Sequence, residues 1–356
     1  MTSGNKNSSF RKLGSYLLPV LFTFVFLFLA FKDIDLAKSI RIITQSSLIW
    51  LVIYVLVFYL SHYIRVIRWK VIIKPIKPDT SQLHLFGAVM IGYGVNCIIP
   101  RLGEIYRGMF LGKWEGLSRT SMVGTVIIER IIDILFFALA SLISVLLFPG
   151  NLFEEISWLK TSLIIGFAFI ILFFVLLILM VKFEKKFSNS LIKIISKFSK
   201  TVSTKLSDLF STLIDGISTI RNLKSILIIV LLTAVMLLTY ALNAYVGFYM
   251  LHLEKEVGVS FVMAWVLMTI SSYGVVIPTP GGTGSYHIIA ILVLTQLYNF
   301  SSEISAAYAL LTHLISYIIF IGTTLIIILV INRIRVKNGF KSENFISVFN
   351  INSETK

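Results

Sequence analysis

Three arginines and three acids carry most of the chemistry open to this chain. In the stretch GYGVNCIIPRLGEIYRGMF, Pro100 is placed to open a helix, because a proline in the first turn forfeits no internal hydrogen bond. Arg101, Glu104 and Arg107 would then project within an arc of about 120°, taking about 100° per residue. Asn96 stands just ahead of them. In TSMVGTVIIERIIDILFF, Glu129, Arg130 and Asp133 again share one helix face, on the order of 15 Å inside the helix start. Charges placed that deep in an apolar helix cost about 2.5 to 3.5 kcal/mol each even on a lenient insertion scale, so they must pair or meet water and ligand. Two chemistries fit. The guanidiniums can hold an anion, or the six residues can form an internal ion network. No acid is left over for a metal, and no cofactor is expected.

A second cluster is IPTPGGTGSYH. Gly281, Gly282 and Gly284 allow backbone amides to converge on an anion as a nest, and a helix starting near Ser285 would add its positive end. Tight turning between two half-helices explains the glycines equally well. His287, one turn further on, can donate, accept or take up a proton. Bonded to a hydroxyl such as that of Thr283, it would only fix the turn.

The elements that must position these groups are membrane helices. Of 356 residues 57% are apolar and 14% charged, and the mean hydropathy is +0.90. The apolar residues fall in runs of about 20, the length that crosses roughly 30 Å of hydrocarbon. Spans are expected at Leu13–Phe31, Leu48–Ile67, Thr120–Phe148, Thr161–Val181, Ile226–Met250 and Ile304–Ile331. The fold class is therefore all-α and polytopic, and soluble enzymes, extracellular scaffolds and nucleic-acid readers fit poorly. A lone cysteine, Cys97, excludes an intramolecular disulfide and any multi-cysteine metal site.

Charge decides the expected orientation. The tail at 1–12, the loop after the second span, residues 182–224 and the tail at 333–356 are basic, whereas the linker at 149–160 carries Glu154 and Glu155 against Lys160. The positive-inside rule places both termini in the cytoplasm. This forces residues 81–119 and 258–302 to enter and return from opposite faces, giving six spans and two re-entrant hairpins within one domain, 13–332. On that topology 26 of 32 basic residues are cytoplasmic or in the inner hairpin and five lie outside. A short internal repeat fits the same scheme: Tyr93-Gly94-Val95 with Ile99-Pro100-x-x-Gly103 recurs as Tyr273-Gly274-Val275 with Ile277-Pro278-x-x-Gly281. Opposed flanking spans make it an inverted repeat, of the kind that builds midplane sites in transporters. Residues 185–222 read as a basic amphipathic helix on the cytoplasmic leaflet.

Arg65-x-x-Arg68-Trp69, Pro100-Arg101-x-Gly103-Glu104-x-x-Arg107, Glu129-Arg130-x-x-Asp133 and Pro280-Gly281-Gly282-x-Gly284 together resemble the lysylphosphatidylglycerol synthase transmembrane domain family. The resemblance covers about residues 13–332. It implies a stand-alone flippase-like integral protein of the inner membrane, with Arg65, Arg68 and Trp69 at the interface and membrane lipids, anionic or polyprenyl-phosphate, as partners. Since no soluble synthase domain fits in the chain, the enzyme activity of the bifunctional relatives is not expected. The family commonly has an acid where His287 stands, which points away from a cationic headgroup. Two other readings remain: a membrane glycosyltransferase acting on a polyprenyl-phosphate sugar, and a non-transporting lipid-binding scaffold. The outer loops offer a glycosyltransferase only scattered acids in short segments.

Overall fold

The computed structural model describes residues 4–168, 171–172, 175 and 223–349, with side chains from Leu18 onward. All regular structure among them is helical: α1 (Gly4–Phe31), α2 (Leu36–Thr44), α3 (Leu48–Ile73), α4 (Gln82–Asn96), α5 (Gly103–Glu115), α6 (Arg119–Leu147), α7 (Leu152–Glu155), α8 (Leu223–Met250), α9 (Phe261–Val276), α10 (Ser285–Leu292) and α11 (Ser302–Lys337). Side-chain oxygens fix several starts by accepting from backbone amides. Asp35 caps α2, Ser118 α6, Ser260 α9 and Ser301 α11. Among the described residues four helices, α3, α6, α8 and α11, are long and apolar enough to cross a membrane.

Most expected spans are therefore helices with slightly longer ends. Of the span expected at Thr161–Val181 only residues 161–168, 171–172 and 175 are described, and the basic helix expected at 185–222 lies wholly outside the described residues. At the other end, α11 runs on through Lys337, so the tail expected from 333 begins as helix. The two ambiguous segments are each broken into a helix, a turn and a second helix: α4 and α5 flank residues 97–102, and α9 and α10 flank residues 277–284. Pro100 does not open α5. That helix starts three residues later at Gly103, because Arg101 adopts a left-handed backbone (φ 62) that a helix cannot continue through.

The chain forms two compact units, with boundaries inside α3, α4, α5 and α8. The first comprises residues 1–66, 86–107 and 235–356. Within it α10 packs against α1, α9 and α11, and α2 lies on α11. Ala88, Val89, Met90 and Ile91 are all fully buried, as expected of a helix that is apolar on every side. Close backbone approach holds the first hairpin shut: a Cβ on Gly103 would lie 1.8 Å from the Gly92 carbonyl oxygen. The second hairpin repeats the device at Gly274, where a Cβ would meet the Ser285 carbonyl at 2.6 Å. The second unit comprises residues 67–85 and 108–234. Trp69, Ile72, Phe110, Leu111 and Met122 form its core, and α5 presses on α6 through Gly108, 2.7 Å from the Val123 amide nitrogen for an added Cβ.

Candidate functional site

In the first unit the turns of both hairpins meet. The Arg101 guanidinium, exposed at the tip of the first turn, donates to the Val276 carbonyl at the end of α9 (2.5 Å). Tyr317 of α11 donates to the Pro280 carbonyl (2.5 Å) and lies 3.4 Å from that of Cys97, so one hydroxyl touches both turns. Thr324 of α11 donates to the Met90 carbonyl (2.8 Å), and Gly94 leaves the room this needs, since a Cβ there would lie 2.2 Å from the threonine hydroxyl. Tyr93 stacks on Phe320 with centroids 4.6 Å apart.

Asn96 and Glu104 build the first turn. The Asn96 side chain accepts from the Gly103 amide (2.8 Å) and donates to both Glu104 carboxylate oxygens (3.3 Å each), joining the end of α4 to the start of α5. Arg107, one turn along α5, is 2% exposed and packs against Gly92. Arg101 leaves the face it was expected to share with these two, because it precedes the helix. Arg65 is buried under the Tyr93 ring (5.9 Å) and beside the Tyr240 hydroxyl (3.4 Å).

The glycine cluster turns the chain. The Gly282 amide donates to the Thr279 carbonyl, the Thr283 amide to the Pro280 carbonyl and the Gly284 amide to His287 Nδ1 (3.2 Å), so these amides point into the turn instead of converging on an anion. Gly281, Gly282 and Gly284 have φ of 55°, 80° and 86°, a region open chiefly to glycine. Gly284 also lets α10 start against α1, where a Cβ would lie 2.7 Å from that of Phe26. His287 is buried, its Nδ1 an acceptor, its ring edge-on to Phe31 and His313. Its partner is thus the Gly284 amide. The Thr283 hydroxyl instead meets His313 Nε2 (3.2 Å) and the Tyr317 hydroxyl (2.6 Å).

The second unit holds the other charged cluster as an ion network. Arg68 Nη2 reaches Glu129 Oε1 (2.8 Å) and Asp133 Oδ1 (2.6 Å), and its Nη1 donates to Thr233 (3.0 Å). Glu129 and Arg68 side chains are fully buried; Arg130, 34% exposed, pairs with Asp133 at 3.4 Å. Trp69 donates to the Thr125 hydroxyl (3.0 Å). Arg65, Arg68 and Trp69, expected at the interface, are all buried inside the helix packing, Arg68 against two carboxylates and a threonine and Arg65 against two tyrosines.

Residues 16–322 match the lysylphosphatidylglycerol synthase TM region. The chain belongs to that family. It is similar to UPF0104 membrane proteins of two organisms. One from Methanocaldococcus jannaschii is 26% identical over 85% of this chain and 90% of its own length, and a second from that organism is 30% identical over 63% and 88%. One from Methanothermobacter thermautotrophicus is 26% identical over 70% and 76%. No solved structure matches the chain. As a member of the lysylphosphatidylglycerol synthase TM region family with several membrane-length helices, it is an integral membrane protein.

Sequence reasoning passed over Tyr317, His313 and Thr324 and the partner of Glu129. A signal was there: Thr312-His313, Ser316-Tyr317, Phe320 and Thr323-Thr324 recur every three or four residues as a polar and aromatic stripe through an apolar helix. On α3, His62, Arg65, Arg68 and Trp69 follow the same spacing. Among the described residues no group of three or more His, Cys, Asp or Glu could hold a metal ion.

Proposed function

We propose that this protein moves a phosphate-bearing lipid, a phospholipid or a polyprenyl phosphate, between leaflets, its headgroup passing the joined hairpin turns while the tails stay in lipid. The observation that carries this reading is the pair of interrupted helices meeting turn to turn around the exposed Arg101 guanidinium. Interrupted backbone at membrane depth survives only where protein buries it or water reaches it. The helix lengths support re-entrance. At 1.5 Å per residue, α4, α5 and α9 rise about 22, 20 and 24 Å, each short of roughly 30 Å of hydrocarbon. The two hairpins then form an inverted repeat, and the excess of basic residues in the tails and in the loops read as cytoplasmic supports both termini on the cytoplasmic side of the cell membrane.

In this reading Arg101 offers the first contact for a phosphate and Arg107, one element further in, the second, through charge-assisted hydrogen bonds. The His287 imidazole, with Nδ1 already accepting from Gly284, offers no negative charge to a lysyl headgroup, so a plain anionic lipid is the better cargo. The test is reconstitution in vesicles carrying a fluorescent phospholipid or polyprenyl phosphate, with loss of signal to an external quencher as the readout. Wild-type protein should expose the inner-leaflet probe, and Arg101→Gln and Arg107→Gln should slow this about tenfold or more, one lost charged hydrogen bond being worth about 1.5 to 3 kcal/mol. Folded wild-type protein that moves none of these lipids overturns the reading.

A further inference from the structure

The segment after α11 folds back as a strap. Gly339 ends the helix in a left-handed conformation (φ 82), and the Phe340 amide returns to the Arg335 carbonyl (2.9 Å), a common helix stop. Residues 340–349 then bind at two places, both in the first unit. One end grips α11. Asn332 exchanges two hydrogen bonds with the Glu343 backbone (2.8 and 2.9 Å), and the Glu343 carboxylate, 3% exposed, lies 3.8 Å from the Arg335 guanidinium and accepts from Ser347 (2.7 Å). The other end grips α5. Phe345 and Phe349 set their rings edge-on against Tyr106 at 5.6 and 5.1 Å, with Val348 fully buried beside them.

The placement matters because Tyr106 adjoins Arg107 on the arm that also carries Glu104. A basic tail in open water needs neither a buried carboxylate nor a buried valine, and these two fix a geometry. We propose that residues 340–349 are an autoinhibitory strap that ties the first turns of α5 to α11 and slows headgroup access to the arginine-bearing hairpin. This rests on the lipid-transport reading. Lids of this kind set rates by the frequency of opening, and opening is easiest where few apolar contacts must break. Here two rings on one tyrosine are the part that must release.

Two variants of the full protein test it. Deleting residues 340–356 removes the strap, while Phe345→Ala with Phe349→Ala keeps the Glu343 grip on α11 and removes only the hold on Tyr106. Hydrogen exchange over residues 103–107 and lipid movement in vesicles are the two readouts. Both variants should raise exchange in that stretch and accelerate lipid movement by about threefold or more, the scale set by losing one aromatic ring pair. Unchanged exchange would show that the strap does not restrain α5. Faster exchange with unchanged or slower transport would make it a support and not an inhibitor, and either result overturns the proposal. If no protein moves lipid while exchange rises, the transport reading falls and with it the inhibitory role.

Discussion

Arg68→Met is the most informative single change in the second unit. Arg68 is fully buried and holds Glu129 at 2.8 Å and Asp133 at 2.6 Å with one nitrogen, and Thr233 at 3.0 Å with the other. Methionine fills similar volume without charge and takes the guanidinium away from Glu129, which has no exposed side-chain surface. Removing one member of a buried pair costs about 3 to 5 kcal/mol, because the remaining charge keeps its desolvation penalty. Asp133 is less affected, since Arg130 stays at 3.4 Å. The double variant Arg68→Met with Glu129→Leu should therefore recover much of the loss, as apolar replacements of a whole buried pair are often neutral. Reversible unfolding in bicelles by steric trapping measures all four corners of the cycle, and the coupling should be at least about 2 kcal/mol. A single variant within about 1 kcal/mol of wild type, or a double variant no better than Arg68→Met, would refute the claim that this network is structural.

Gly103→Ala should abolish folded protein, because its Cβ would sit 1.8 Å from the Gly92 carbonyl oxygen, whereas Gly92→Ala, with 3.2 Å to its nearest neighbours, should fold with reduced stability; fluorescence-detected size exclusion separates the two. Glu115, at the polar base of the first hairpin, feels burial that would raise its pKa, but His84 (2.6 Å), Lys77 (2.7 Å) and the Ser81 amide (3.1 Å) outweigh it and hold the carboxyl at about 2. A depressed carboxyl stabilises the fold above its ordinary value of 4.5 and loses that contribution as pH falls toward 2, so the melting-temperature gap between wild type and Glu115→Gln should be full at pH 7 and shrink below pH 4.5. A gap that is flat from pH 7 to about 2.5 contradicts this. In a Cys97→Ser background, cysteines at the exposed Asp79 and Thr120 should label only from the cytoplasm, and one at exposed Lys255 only from outside; labelling of position 120 from outside would mean that residues 81–119 cross the membrane once on balance, which contradicts both the hairpin and the orientation drawn from it.

Composition and run length alone determined that the chain is a helical membrane protein, and the spacing of polar residues marked which stretches could not be simple spans. Hydrophobic period and cap residues are local, so α3, α6, α8 and α11 were legible, although α3 and α11 run past the expected ends at Ile67 and Ile331 to Ile73 and Lys337. The breaks at Pro100 and at the PTPGG run were legible too, because proline and glycine act on their own backbone. What each charge does was not. Whether Glu129 meets a ligand or an arginine depends on α3 lying beside α6, 61 residues away in sequence for the Arg68 contact, and no helical wheel contains that distance. Arg101 leaves its expected face for the same kind of reason: a left-handed residue and the Asn96 side chain move the start of α5 to Gly103. The glycines of the second turn were open to two readings, and only the amide partners, each three positions away, and α1 pressing on Gly284 decide that they turn the chain. Local sequence fixes where a membrane helix starts and stops, since backbone hydrogen bonds leave it little choice; the partner of a buried charge is chosen by whichever helix packs beside it.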